Sequence, residues 1–393
     1  MTKHTNVLVL TSTYPRWDGD STPGFVAEFA THLAPHFSKV YVMAPHFPKA
    51  KRFEVTQNIH TTRIRYFFPT RGETIFYEGG GITKIKKTPL YALKLASYLT
   101  SLFFNTLYTT LRRSVTLINA HWIIPQGFVA VLVKLTIGKP VALTVHGADI
   151  LSLNGKLLRP IKRFVLKHSD VVYVNSSVTK EACEKLYKRN YVLAPMGTDL
   201  QLFQSAKVVK KRSRPFTIIF VGRLTPVKGI AYVLEATRKL CDSNRHVQTI
   251  VIGSGPLEDE LHDYVTAHNL EKNVTFTGWI DHGRLPEYYK NADVFVGPSL
   301  YEAQGLVFIE ALAAGLPVIT TATSGAKDLI TEGVNGYVVE PESSEQIFDR
   351  LAQLYDTPAL LRQLKKHAAT SVQTTFSWTT TTAQYMQSWR HLL

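Results

Sequence analysis

Two cysteines in 393 residues leave no basis for a disulfide scaffold, and Cys183 and Cys241 stand too far apart to form a metal-ligand cluster. A reducing, cytoplasmic compartment is the expectation. Long apolar runs are also scarce. The N-terminus, MTKHTNVLVLTSTYP, offers only a short one before polar residues and proline, which reads as a first strand and not as the core of a signal peptide. The longest apolar tract, LYALKLASYLTSLFFNTLYTTL (90–111), approaches membrane-spanning length but carries Lys94, Asn105 and several Ser and Thr, so it is not expected to span. No short-period repeat and no complete G-x-G-x-x-G fingerprint occurs.

Acidic residues are scarce in one half only. Residues 1–200 hold 26 Lys+Arg against 11 Asp+Glu, whereas residues 201–393 hold 19 of each, so the whole net charge of +15 lies in the first half. Solubility does not depend on where charge is placed, and an asymmetry of this size points to something anionic met by the first half. Nucleic acid is not the expected partner, because no nucleic-acid-binding motif accompanies the charge.

What is present is an alternation of short apolar runs with helical stretches, the pattern of an α/β, doubly wound parallel sheet. It occurs twice. In the first half the strands read NVLVLTS, KVYVMAP, TLINAHW, PVALTVHG and DVVYVNS, with TTRIRYFF (61–68) as a weaker sixth. The second half gives FTIIFVG, VQTIVIG, NVTFTG, DVFVGPS, LPVIT and NGYVVE. This predicts two Rossmann-like domains, 1–200 and 215–375, joined by a basic linker at 201–214, with a helical tail at 376–393 packing back on the first domain.

In such folds ligands gather beyond the carboxyl ends of the strands. There VGRLTPVKG carries Arg223 and Lys228, two cations able to hold a diphosphate and stabilise it as a leaving group, or else two solvated surface charges. VIGSGPLEDEL puts Gly253 and Gly255 in a strand-to-helix turn, where missing side chains let a nucleotide approach or simply let the chain turn. YEAQGLVFIEALAAGLPVIT places Glu302 in a loop and Glu310 in the first turns of a short helix that Gly305 introduces; the first-turn amides are free for ligand oxygens. Glu310 suits two ribose hydroxyls and Glu302 sugar hydroxyls, against the plainer readings of a helix-dipole carboxylate and a loop residue. In the first half His121 and His146 each end a strand, and Asp149 follows in HGAD, where it serves the same site or caps the next helix. Asp18-Gly-Asp20 imitates a metal-binding D-x-D but sits in a turn-rich segment that explains both carboxylates.

Taken together, VGRLTPVKG, GSGP, FTGWI, NADVFVGPS and the E-x7-E of Glu302 and Glu310 resemble the donor half of family 4 retaining glycosyltransferases. NAHWIIPQG, LTVHGADI and APMGTDLQLF extend the resemblance to the first half. It implies a GT-B fold, two Rossmann-like domains facing a central cleft, and transfer of a sugar from a UDP- or GDP-sugar to a hydroxyl of a lipid-linked or cell-surface glycan. No cofactor and no metal is implied. The resemblance assigns the donor diphosphate to Gly24, Gly222, Arg223 and Lys228, with Gly253, Gly255 and Trp279 lining the nucleotide site and Glu310 on the ribose. Glu302 and the amides of Gly305, Leu306 and Val307 take the donor sugar and phosphate. His146 contacts the donor sugar or departing phosphate, and His121 and Asp149 shape the acceptor side. Many members have Gly-Phe where this chain has Ala303 and Gln304, which leaves the donor sugar open. A sugar-nucleotide epimerase or hydrolase on the same fold is the alternative. Finally, ITKIKKTPLYALKLASYLTSLFFNTLYTTLRR (82–113) has Lys84, Lys86 and Lys87 before an apolar body and Arg112 and Arg113 after it, as an interfacial helix on an anionic membrane does.

Overall fold

The computed structural model describes residues 5–20, 22–77, 89–151, 155, 158–205, 214–372 and 375–393. Two sheets organise it, and the chain divides into one unit of residues 1–197 with 378–393 and another of residues 198–377.

The first unit contains β1 (Asn6–Leu10), β2 (Lys39–Pro45), β3 (Phe53–Thr56), β4 (Ile59–Ile64), β5 (Val115–His121), β6 (Val141–Val145), β7 (Val171–Val174) and β8 (Val192–Leu193). Their order is β3-β4-β2-β1-β5-β6-β7-β8, parallel except for the antiparallel β3–β4 pair. Continuous apolar runs such as VALTV make strands covered on both faces, and all of β6 is buried accordingly. The strand expected at 61–68 begins earlier and stops at Ile64, leaving Phe67 and Phe68 beyond it. The apolar pattern does not announce β3 or β8. β3 is an edge strand that exposes Phe53 and Val55, and β8 has only two residues.

Helix Trp378–Trp389 belongs to this unit. The Tyr385 ring stacks on Tyr173 with centroids 3.8 Å apart, and its hydroxyl pairs with Thr144 Oγ1 of β6 at 3.0 Å. Trp378 Nε1 donates to Glu28 at 2.6 Å, and Trp389 is fully buried.

The second unit contains β9 (Phe216–Val221), β10 (Val247–Ile252), β11 (Val274–Gly278), β12 (Val294–Gly297), β13 (Val318–Thr321) and β14 (Gly336–Val339), all parallel in the order β11-β10-β9-β12-β13-β14. Leu200–Ser205 forms a helix where the sequence suggested linker, because Leu200 and Phe203 find a core against Tyr289 and Phe308. Among the described residues no helix is long and apolar enough to cross a membrane.

Candidate active site

Strand order decides where each unit can hold a ligand. In the second sheet successive connections run one way from β9 to β11 and the other way from β12 to β14, so the topological switch point lies between β9 and β12. The loops after those two strands carry Lys228 and Glu302. The structure brings them together: Lys228 Nζ donates to Glu302 Oε2 at 2.5 Å, and the loops are tied by Leu300 N to Val227 O at 2.8 Å. Glu302 Oε1 also accepts from the Ala303 amide at 3.2 Å. Arg223, two residues past β9, is exposed and pairs with no carboxylate among the described residues. Trp279, just after β11, is exposed on the same edge of the sheet.

Gly305 has φ 76° and precedes helix Leu306–Ala313, whose first-turn amides therefore follow a left-handed residue that a side chain would strain. A Cβ on Gly305 would also meet Phe308 Cδ2 at 2.4 Å. Glu310 lies in the second turn of this helix and is only 4% exposed. His282 Nε2 contacts its Oε1 at 2.9 Å, and the Tyr289 hydroxyl donates to Oε2 at 3.3 Å. Burial, then the Glu310 charge, raises the Tyr289 phenol well above its ordinary value, so it stays a donor. Each carboxylate oxygen keeps a second lone pair for an incoming hydroxyl. Gln304 is buried, and its carbonyl oxygen lies 2.2 Å from where a Cβ on Gly325 would sit.

The glycine pair after β10 is required by the chain's own packing as well as by its turn, Gly253 having φ 133°. A Cβ on Gly253 would fall 1.9 Å from the Gly222 carbonyl oxygen, and one on Gly255 would fall 2.4 Å from that of Leu224. These glycines let the β9 and β10 loops touch each other. Gly24 is the opposite case: its φ is −87° and a Cβ there would meet only Pro15 Cγ, at 4.0 Å, so neither backbone nor packing demands glycine.

In the first unit the switch point falls between β1 and β5, and the histidines cluster beside it. His121 Nδ1 and His146 Nε2 are 2.9 Å apart, with the rings stacked at 5.1 Å. Phe29 packs on His121, while Phe25 and Trp122 pack on His146. Burial, then the neighbouring His146, holds His121 well below 6.5, and burial pushes His146 down to about 3; both are neutral. His121 Nε2 is buried without a partner among the described residues. An unmatched lone pair costs less than an unmatched N–H, so His121 Nδ1–H donates and the His146 proton rests on Nδ1. His121 and Asp149, which the resemblance sets on the acceptor side, are both buried, so His121 also fits the plainer reading of a histidine in the frame of the domain. Asp149 sits inside the short helix Ala148–Leu151 instead of capping it, and its Oδ2 accepts from the Ile123 amide at 2.8 Å. That bond fastens the segment after β5, where Trp122 holds a positive φ of 73° that sequence reading gives no sign of.

Asp20 of the D-x-D lookalike is fully occupied. It receives Arg16 Nε at 2.9 Å, Arg16 Nη2 at 2.6 Å, and the amides of Arg16 and Thr22 at 2.8 and 3.3 Å. Those bonds, offsetting the cost of burial, hold its carboxyl down to about 2.

The two histidines make acid stability a test of this arrangement. Both have folded-state values below 6.5, so the folded state binds fewer protons than the unfolded state as pH falls below 6.5. Stability is therefore lost in that direction, by about 1.4 kcal/mol per pH unit for each histidine. Asp149, which burial pushes up to about 6, works oppositely and regains part of the loss between 6 and 3.8. Thermal melts are expected to show Tm falling from pH 6.5 to pH 4, with a shallower slope in His121→Gln. An equal slope in the two proteins would contradict a neutral buried pair.

Known proteins resemble the chain in sequence and in fold. Residues 203–371 match the family described as Glycosyl transferases group 1, and residues 25–202 match Glycosyltransferase Family 4. Alpha-D-kanosaminyltransferase of Streptomyces kanamyceticus is 25% identical over 264 residues, covering 62% of this chain and 68% of that one. The UDP-Gal:alpha-D-GlcNAc-diphosphoundecaprenol alpha-1,3-galactosyltransferase of Escherichia coli is 29% identical over 235 residues, 55% of this chain and 60% of its own length. The chain thus spans about three fifths of that relative. Sucrose-phosphate synthase from Thermosynechococcus elongatus superposes with a TM-score of 0.82 over 99% of both chains at 23% identity, which shows a shared fold. The two family matches adjoin and run from 25 to 371 over paired Rossmann-like sheets of the GT-B type, so the chain belongs to the family 4 glycosyltransferases, glycosyl transferases group 1.

Proposed function

We propose that the protein moves a sugar from a UDP- or GDP-sugar to a hydroxyl of a glycan or lipid-linked acceptor on the cytoplasmic side of a membrane, with retention of configuration and without a metal. The observation that carries this reading is the Lys228–Glu302 pair at the switch point of the second sheet, with the exposed cation Arg223 and the Gly305-led helix start on the same sheet edge. Because Lys228 and Glu302 compensate each other, Arg223 and the helix amides add the net positive potential that a diphosphate requires. Asp20, already bonded to Arg16 and Thr22, leaves little for a metal to bind.

In this mechanism the acceptor oxygen attacks the anomeric carbon on the face that the diphosphate leaves. The carbon–oxygen bond to phosphate breaks as the new glycosidic bond forms, and the acceptor proton passes to the departing phosphate oxygen. Arg223 and Lys228 stabilise the charge growing on that phosphate. Glu302 holds sugar hydroxyls, with Leu306 and Val307 presenting amides. Neutral His146 donates one hydrogen bond at the reacting end, oriented by His121 and Asp149. Gly24 leaves room for the diphosphate, and Trp279 lines the base. The Escherichia coli relative is named for UDP-Gal and a diphosphoundecaprenol-linked sugar, which supports both the donor class and an acceptor on a lipid carrier.

Glu310 tests the donor assignment. If it accepts from both ribose hydroxyls, Glu310→Gln keeps the shape and loses charge-assisted bonds, so UDP or GDP should bind about 10- to 100-fold more weakly. Calorimetric titration with an unchanged melting temperature reads the effect directly. Equal affinity in the two proteins would remove Glu310 from the site.

A further inference from the structure

The outward face of helix Pro89–Arg112 is apolar where a surface helix ordinarily carries charge. Leu93, Ala96, Thr100, Phe104, Tyr108 and Leu111 are all exposed and follow one another at helical spacing. Leu93, Phe104, Tyr108 and Leu111 are each at least 60% exposed. This is not the core face. Tyr98, Leu102, Thr106 and Thr110, on the opposite side, are already buried in the first unit. Leu135, on the helix Phe128–Ile137 that packs beside this one, is exposed as well. Of fifteen large apolar side chains exposed among the described residues, six lie on these two helices, and no other element carries more than the two on β3, Phe53 and Val55. Single exposed apolar residues need no explanation, but an aligned set does.

We propose that this face docks on an anionic phospholipid surface, the helix lying in the interface and not crossing it. The stripe from Leu93 to Leu111 is about 27 Å long at 1.5 Å per residue, and the helix is not apolar enough to span. Charge complementarity selects the partner. Residues 82–113 contain six basic and no acidic side chains, within a half of the chain that holds the entire net charge. Arg112 and Arg113 are exposed at the end of the stripe. Lys84, Lys86 and Lys87 lie outside the described residues but immediately precede the helix in sequence. An interfacial helix combines these two features, apolar insertion and basic attraction. A second copy of the chain fits less well, because its own basic face would be opposed to this one. The inference requires only the lipid and stands apart from the glycosyl-transfer reading.

Flotation of the full-length protein with phosphatidylcholine vesicles, with and without phosphatidylglycerol, tests it. Binding is expected with the anionic vesicles alone, and raised salt should weaken it. Phe104→Ser with Leu111→Ser should lower partitioning at least tenfold, as should Lys84→Glu, Lys86→Glu and Lys87→Glu together, while UDP and GDP titrations and the melting temperature stay as in the wild type. Equal partitioning of the Phe104→Ser, Leu111→Ser protein would overturn the proposal. So would a wild-type protein that ignores anionic vesicles at low salt, or one that sediments as a dimer which the serine pair dissolves without vesicle binding.

Discussion

Lys228→Ala is expected to lower turnover by about 10²- to 10³-fold, the range seen when one preorganised donor to a developing anion is removed. The lysine is positioned by the loop after β9 and by its bond to Glu302, so the proposed mechanism asks for little reorganisation of it. Its loss has two consequences: the departing phosphate loses a cation, and Glu302 becomes an uncompensated negative charge beside it. The second predicts coupling. Glu302→Gln added to Lys228→Ala should restore part of the donor affinity, whereas two independent contacts would give additive losses. Because the pair remains partly solvated, the fold should tolerate the change, with Tm within a few degrees of wild type. Turnover within threefold of wild type in Lys228→Ala would mean that the diphosphate lies elsewhere.

Trp389→Ala should destabilise the protein by about 3–5 kcal/mol, the usual cost of a large core aromatic truncated to alanine. Trp389 is fully buried in the first unit against Tyr385 and Phe37, at centroid distances of 5.6 and 5.9 Å. Tyr385 in turn stacks on Tyr173 and packs on Phe29, the ring that covers His121. The last helix is therefore part of the frame behind the histidine pair. For a unit of about this size the loss corresponds to a fall of roughly 10 °C in Tm. Donor affinity should be spared under folding conditions, since Arg223, Lys228, Glu302 and Glu310 all lie in the second unit. A change in Tm below 2 °C would show that the tail contributes little to the frame.

The second sheet was legible strand by strand, because buried parallel strands read as unbroken apolar runs bounded by glycine or proline. β3 and β8 were not, since an exposed edge strand and a two-residue strand carry no such run. The residues of the candidate site could be named from their places after strands, but their contacts could not. Nothing in the sequence pairs Lys228 with Glu302, 74 positions away, or brings His282 and Tyr289 to Glu310. His282 in IDHGR is a lone histidine without ligand spacing. His121 and His146 were placed at strand ends correctly, yet only packing shows that one is enclosed and orients the other. Gly253 and Gly255 illustrate the reverse: the turn was legible, but the surface that excludes a side chain is the chain's own backbone.

The most direct measurement is proton NMR of the purified protein incubated in EDTA with a panel of UDP- and GDP-sugars and lipid-linked or soluble glycan acceptors. The account predicts that one nucleotide sugar is consumed only when acceptor is present, that turnover persists without metal, and that the new glycosidic bond keeps the donor's anomeric configuration. Free sugar or an epimer formed without acceptor, an inverted anomer, or activity that appears only when magnesium or manganese is restored would contradict it.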